Sequence, residues 1–375
     1  MRFSDRENLG VYLDYNATSP LRSEAKRAIF DALGEPSNPS SIHGFGRRAR
    51  KRLEKSRVQI AKLVGSEPEN IIFTSGGTEA DSLAIKGAYC SNIVISSIEH
   101  DAVFSAAPES EKVAVNRDGT IVLSDLEKAL SRVEGTCLVS IMWANNETGA
   151  IQPIEEIVAI ASKYGAQVHA DAIQALGKIP INFRDSGLSM MSISAHKIGG
   201  PPGVGALVVA DGIKLKPFLV GGGQEKGRRS GTENIMGIVG FGAAAEVLLN
   251  NASEPDEVCR LRDLFEQKLL GYLPDLQILS INAPRLGNTS AVVMAGVSAE
   301  TQVMLFDLEG IYISAGAACS SGKIKKSHVI EAMGINGDAT TNTIRVSLGW
   351  ENTEADVDRI VEIWKKIYEK ANKKF

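Results

Sequence analysis

The chain is 375 residues long, 43% hydrophobic and 23% charged, with a net charge of −4 and four cysteines. That length predicts one large domain plus a smaller one, and a charge so close to neutral gives no footprint for nucleic acid. Residues 1–7 have no apolar core, so no signal peptide is expected, and the longest apolar stretch, 235–249, is interrupted by Glu246 and too short to span a bilayer.

In chain order, a short apolar segment at 9–15 ends in a polar turn, Asp14 to Pro20, and helices are expected over 23–33 and 44–64. The loop between them, 35–41, offers capping serines. Residues 71–74 form a strand that runs straight into Ser75-Gly76-Gly77-Thr78, with a helix beginning near Thr78. Strands are then expected at 92–96, 138–143, 167–170, 190–193 and 205–209, and helices at 123–131, 154–164 and 234–250. Short apolar strands alternating with helices predict an α/β fold with a mainly parallel sheet flanked by helices. Past residue 251 the texture changes to a charged helix (257–270), shorter strands and a lysine-rich amphipathic helix (353–373). The expected division is a large domain over 16–250 and a smaller α+β domain over 251–375, joined by residues 1–15.

Chemistry concentrates at strand ends. Residues 192–205 close an apolar run with Ser194, His196 and Lys197, followed by a Gly-Pro loop. A lysine there is partly desolvated, which frees its amine to attack carbonyls, and the glycines admit a bulky ligand close to backbone. The Ser75–Thr78 turn opens a helix, so Gly77 and Thr78 suit an anion such as phosphate. Asp171, following the strand at 167–170, stands at the mouth of an α/β sheet, where a carboxylate can pair with a protonated ring nitrogen; Gln174 lies about one turn on. His100 follows another strand and can stack on a planar ligand. Each residue alone also suits a structural role: Thr78 and Asp171 as helix caps, His100 as a loop histidine. Together they describe pyridoxal 5'-phosphate: a phosphate cradle, an acid for a pyridinium, a stacking imidazole and an amine for an aldehyde. The glycine run at 240–242 imitates a dinucleotide fingerprint but has no strand before it.

Two further residues stand out. Cys319 sits in a small-residue stretch, 314–322, expected to be a mobile, exposed loop, and Lys323, Lys325, Lys326 and His328 follow it. Nearby positive charge favours thiolate, although a basic run beside an incidental cysteine has the same appearance. Arg345 interrupts an alternating strand and suits either a substrate carboxylate or solvent. No spacing suits a metal, and the cysteines at 90, 137, 259 and 319 show no close pairing, so a reduced, cytoplasmic protein is expected.

The chain resembles the cysteine desulfurases of the NifS/IscS group, within the fold-type I pyridoxal-phosphate enzymes. The resemblance rests on Leu13-Asp14-Tyr15-Asn16-Ala17-Thr18, Asn38-Pro39-Ser40-Ser41-Ile42-His43, Thr74-Ser75-Gly76-Gly77-Thr78-Glu79, Glu99-His100 and Asn145-Asn146-Glu147-Thr148-Gly149. It continues through His169-Ala170-Asp171-Ala172-Ile173-Gln174, Ser194-Ala195-His196-Lys197, Arg229-Ser230-Gly231-Thr232 and Gly316-Ala317-Ala318-Cys319-Ser320-Ser321. The resemblance implies a seven-stranded sheet in the large domain and a cofactor Schiff base on Lys197. It also implies that Asp171 meets the ring nitrogen, Gln174 the ring hydroxyl and His100 the ring face, while Gly77, Thr78, Ser194 and His196 hold the phosphate. Thr232 would reach the phosphate of a second subunit, making a homodimer. Asn146 and Arg345 would bind the carboxylate of L-cysteine, and Cys319 would take its sulfur as a persulfide for an acceptor protein in iron–sulfur cluster assembly or tRNA thiolation. Two departures stand out: Ala317 where serine is frequent, and the Arg228-Arg229 pair in place of one arginine.

Overall fold

The computed structural model describes residues 10–316 and 326–372. Its centre is a seven-stranded sheet in the order Ile71–Thr74, Gly205–Val209, Met190–Ser194, Gln167–Asp171, Cys137–Met142, Asn92–Ser96, Glu111–Val113. Neighbours are parallel from Met190–Ser194 to the Glu111–Val113 edge; Gly205–Val209 runs antiparallel to both its neighbours.

The inner strands are apolar nearly throughout because both faces are covered. Ile71 and Phe73 pack into a core with Leu53 and Ile60 of the helix Gly44–Val64, whereas Ile72, between them, joins Leu83 and Val103 on the opposite face. The period of two thus divides each strand between two cores. The helix Ile235–Asn250 lies between its neighbours with little side chain in the way. A Cβ on Gly240 would come 2.9 Å from Ile29 Cδ1, and one on Gly242 would come 2.8 Å from Ser56 Cα. The glycine run at 240–242 therefore serves helix packing, not a dinucleotide.

A second core gathers Phe265, Phe306, Ile344, Val346 and Trp364, and residues Val11 and Leu13 return to it from the N-terminal side. Its three-stranded sheet places Thr343–Ser347 between Ser314–Ala315 and Thr289–Val293, antiparallel to both. Ser314 and Ala315 are buried in this strand, which corrects the expectation of an exposed loop beginning at 314. The helix Gly44–Val64 is capped by His43, whose Nδ1 accepts from the Gly46 N–H at 3.4 Å, and not by the serines before it. Among the described residues no single helix is long and apolar enough to cross a membrane.

Candidate active site

A cavity of about 860 Å³ opens where the parallel strands end and the second core meets them. It is the position at which an open α/β sheet offers its strand ends and the helix starts that follow them. Lys197, Asp171, Gln174, His100, Gly77, Thr78, Ser194, His196, Asn146 and Arg345 all line it. Thr232 does not; it is exposed, outside this cavity. Cys319 lies outside the described residues, but Gly316 before it and Lys326 and His328 after it are on the cavity wall.

Lys197 ends a short 3-10 turn, Ala195–Lys197, that follows the strand Met190–Ser194. Its Nζ donates to the carbonyls of Asn16 at 2.6 Å and Ala17 at 2.8 Å. Burial, and then the charge of Arg345, pull its ammonium down to about 8. Asp171 closes the strand Gln167–Asp171, and its Oδ1 accepts from the Ile173 N–H at 2.9 Å. Burial pushes its carboxyl up. Only turns follow it, so the capping alternative does not apply here. His100 caps the helix Asp101–Ala106: Nδ1 accepts from the Ala102 N–H at 3.1 Å, which leaves Nε2 to carry the proton of the neutral ring.

Gly77 opens the helix Gly77–Gly87 directly after the strand Ile71–Thr74, so the first N–H groups and the exposed Thr78 face the cavity. This turn lies tight against Gly205, where an added Cβ would come 2.7 Å from the Gly76 carbonyl carbon. Arg229 pairs with Glu79 at 2.8 Å behind the turn, and Glu79 accepts from the Ser75 N–H at 2.7 Å. His196, half-buried beside Lys197, is pushed down to about 4 by burial and stays neutral.

Arg345 reaches the cavity from the second core. It is buried, donates to the Asn146 carbonyl at 3.1 Å, and pairs with Asp14 at 2.7 Å. It is therefore no exposed strand arginine.

Several participants have no role assigned to them from sequence. Asn16 is buried and contacts both halves of the site: its carbonyl accepts from Lys197 and Gln174, and its Nδ2 donates to the Asn146 carbonyl. Asp81, on the cavity wall, is fully buried; burial and then the Asp171 charge hold its carboxyl well above the usual range, against the pull of the Ser192 hydroxyl. Glu99 is pushed up to about 8 by burial. His169, beneath Asp171, lies between the hydroxyls of Ser140 (2.8 Å) and Ser192 (2.9 Å), and burial drives it down to about 3, so it is a neutral core residue.

Buried polar atoms without a hydrogen-bond partner among the described residues gather on the cavity wall: Arg345 Nε, Glu99 Oε2 and Ser97 Oγ. Native interiors rarely leave such atoms unmatched, so the cavity is shaped for a polar ligand. Pyridoxal phosphate fits this donor set. A buried acid suits its ring nitrogen, a depressed lysine its aldehyde, and a helix start with a free hydroxyl its phosphate.

Residues 11–360 match the aminotransferase class-V family. The chain is 43% identical to a cysteine desulfurase of Cereibacter sphaeroides, over 94% of each chain. It is 40% identical to the cysteine desulfurase IscS of Dictyoglomus turgidum, covering 96% of this chain and 95% of that protein. The solved NifS-like protein of Rickettsia africae superposes with a TM-score of 0.90 at 37% identity, covering 96% of this chain and 99% of that one. The chain belongs to the class-V aminotransferase family, and within it to the pyridoxal-phosphate-dependent cysteine desulfurases.

Proposed function

We propose that this enzyme moves the sulfur of L-cysteine onto Cys319 as a persulfide, releases L-alanine, and passes the sulfur to an acceptor protein for iron–sulfur cluster assembly or another thio-cofactor. The observation that carries this reading is the approach of Arg345, from the second core, to the cavity that holds Lys197 and Asp171. A buried guanidinium with an unpartnered Nε suits the carboxylate of an amino acid.

The residues divide the work. Arg345 and the Asn146 side chain bind the carboxylate of cysteine. Asp171, Gln174 and His100 hold the cofactor ring, while Gly77, Thr78, Ser194 and His196 hold its phosphate. Bound pyridoxal phosphate supplies the electron sink at the substrate's α-carbon. The Lys197 amine, near-neutral in pKa, takes the α-proton and returns one to the carbon skeleton. The Cys319 thiolate attacks the substrate sulfur: an S–S bond forms, the C–S bond breaks, and its electron pair leaves with the skeleton that departs as alanine.

A homodimer belongs to the same reading. Thr232 is exposed and outside its own subunit's cavity, which suits a contact with a second subunit's phosphate. Ile42 and Val220 are 91% and 78% exposed, two apolar side chains that a second copy would cover. A cytoplasmic setting follows from the need to keep the acceptor thiol reduced.

The test is turnover with L-cysteine and dithiothreitol, following alanine and sulfide, for wild type and Cys319→Ser. Equal amounts of both products from wild type, and almost none from a variant that stays yellow, are expected. Full-rate turnover by the variant would remove Cys319 as acceptor.

A further inference from the structure

Lys178 is a second amine at the site, on the turn after Asp171, and no step of the proposed reaction uses it. Its Nζ donates to Gln174 Oε1 at 2.6 Å and to Asn16 Oδ1 at 2.8 Å. Gln174 Nε2 in turn donates to the Asn16 carbonyl at 2.9 Å, the same oxygen that accepts from Lys197 at 2.6 Å. Asn288 closes the ring by donating to Asn16 Oδ1 at 3.0 Å.

This arrangement fixes the Gln174 amide by chemistry. The Asn16 carbonyl only accepts, so the Gln174 atom facing it is the nitrogen, and the amide oxygen is the atom that accepts from Lys178, whose amine has N–H groups to give whether charged or neutral. The nitrogen then faces the other way, with one N–H spent on the Asn16 carbonyl. What Gln174 has left for a ligand in the cavity is its second N–H. A ring phenolate has no proton to give and accepts from such a donor. The opposite flip would set an amide oxygen against it.

We propose that Lys178 is a positioning residue of the cofactor site: through Asn16 and Gln174 it holds an N–H donor toward the cofactor's ring oxygen. The inference rests on the reading above, in which Gln174 meets that oxygen. Among the described residues, the charges that act on Lys178 are Lys197 and Arg345, with Asp14 paired to Arg345, and Arg22 and Glu254, paired with each other, line the same cleft as Lys178. Burial, reinforced by Lys197 and Arg345, holds the Lys178 ammonium well below its ordinary range.

A donor to the ring oxygen stabilises the phenolate most when the adjacent imine nitrogen has lost its proton. Holding the donor in place therefore lowers the pKa of the yellow absorbance change of the resting holoenzyme. That titration is read without substrate and without turnover. Lys178→Met keeps the stem and removes the donor; the absorbance pKa is expected to rise by about one unit, a tenfold change in proton affinity. In a Gln174→Ala background the same substitution should shift it less than about twofold, because a residue that acts through another loses its effect when that other is gone.

An unchanged titration in Lys178→Met overturns the proposal. So does an equal shift in both backgrounds, which would show Lys178 acting by charge alone. If Lys178→Met does not fold, Lys178→Gln, whose amide can present an acceptor to Gln174, is titrated instead in both backgrounds: a rise that Gln174→Ala abolishes supports positioning, and no rise, or the same rise in both, overturns it. Wild-type protein that binds no pyridoxal phosphate, or makes no alanine from cysteine, would instead remove the functional reading on which the inference stands.

Discussion

In the proposed function Lys197 presents a neutral amine to take up cofactor, and its surroundings favour the neutral form. Its ammonium falls from an ordinary 10.5 to about 8, first through burial and next through Arg345, with Asp14 and Asp171 opposing. That difference corresponds to about 3 kcal/mol in favour of the free amine. At pH 7 about one amine in ten is then neutral, against about one in three thousand for an exposed lysine. Arg345→Met removes the cation while keeping a side chain of similar length in a site that is 4% exposed. It also strips Asp14 of its ion-pair partner, and an unopposed Asp14 raises Lys197 further. The pKa should therefore rise by roughly one unit, and loading at pH 7 should slow roughly tenfold. The assay is the rate at which apo-protein acquires the yellow band when given pyridoxal phosphate, from about pH 6.5 to about pH 10. Below its pKa the amine is protonated and loading falls, so the wild-type curve should level off near pH 8 and the variant curve above it. Coincident curves, or a variant shifted to lower pH, would refute the argument that Arg345 tunes Lys197.

Two further predictions concern the frame around the site. Arg57 and Glu225 form a two-pronged buried pair at 2.8 and 2.9 Å, with side-chain exposures of 10% and 2%, and Glu225 also accepts from the Phe73 N–H at 3.1 Å. Arg57→Met should cost about 3–5 kcal/mol in denaturant unfolding, and adding Glu225→Met should recover much of it, because the loss comes from stranding a buried carboxylate; a single-variant loss under about 1 kcal/mol would sink this account. Gly205→Ala places a methyl 2.7 Å from two backbone atoms, the Gly76 carbonyl carbon and the Ile193 oxygen, neither of which is a flexible side-chain end. Overpacking of about 1–3 kcal/mol is expected, together with faster loss of cofactor on dialysis, since the displaced turn is the one ending at Thr78.

The sheet was legible because most of its strands are buried on both faces and therefore apolar in sequence; residues 71–74, 92–96 and 205–209 match the observed strands to the residue. The edge strand Glu111–Val113 was not legible, since it is three residues long and only Val113 is buried. Ser314–Ala315 was mistaken for exposed loop for a related reason: small residues pair with Arg345 and Ile344 without contributing an apolar signal. Lys197, Asp171, His100 and Thr78 were legible because each sits at a strand end or helix start, a local feature with a local pattern. Asn16, Asp81 and Lys178 were not. The importance of Asn16 comes from partners 130 to 331 residues away, including Asn146, Thr289 and Ser347, and no spacing in the chain announces them.

Those distant partners also explain why a single site draws on two cores. Asp171 ends a strand of the seven-stranded sheet and Lys197 the turn after another, whereas Arg345 sits on Thr343–Ser347, whose Ile344 and Val346 lie in the second core. Asn16 joins them atom by atom: the Ser347 hydroxyl holds its N–H at 3.0 Å, Lys197 and Gln174 hold its carbonyl, and its amide donates to the Asn146 carbonyl that Arg345 also holds. Arg22 adds a second tie, pairing with Glu254 at 3.0 Å and lying 3.7 Å over the Trp350 ring. A shift of the second core would therefore move Arg345 and, through Asn16, loosen the Lys197 amine and the Gln174 amide in the same motion. The spacing between Arg345 and Lys197 is thus set by how the two cores dock, and the segment 10–16 that carries Val11, Leu13 and Asn16 is the piece of chain that transmits it.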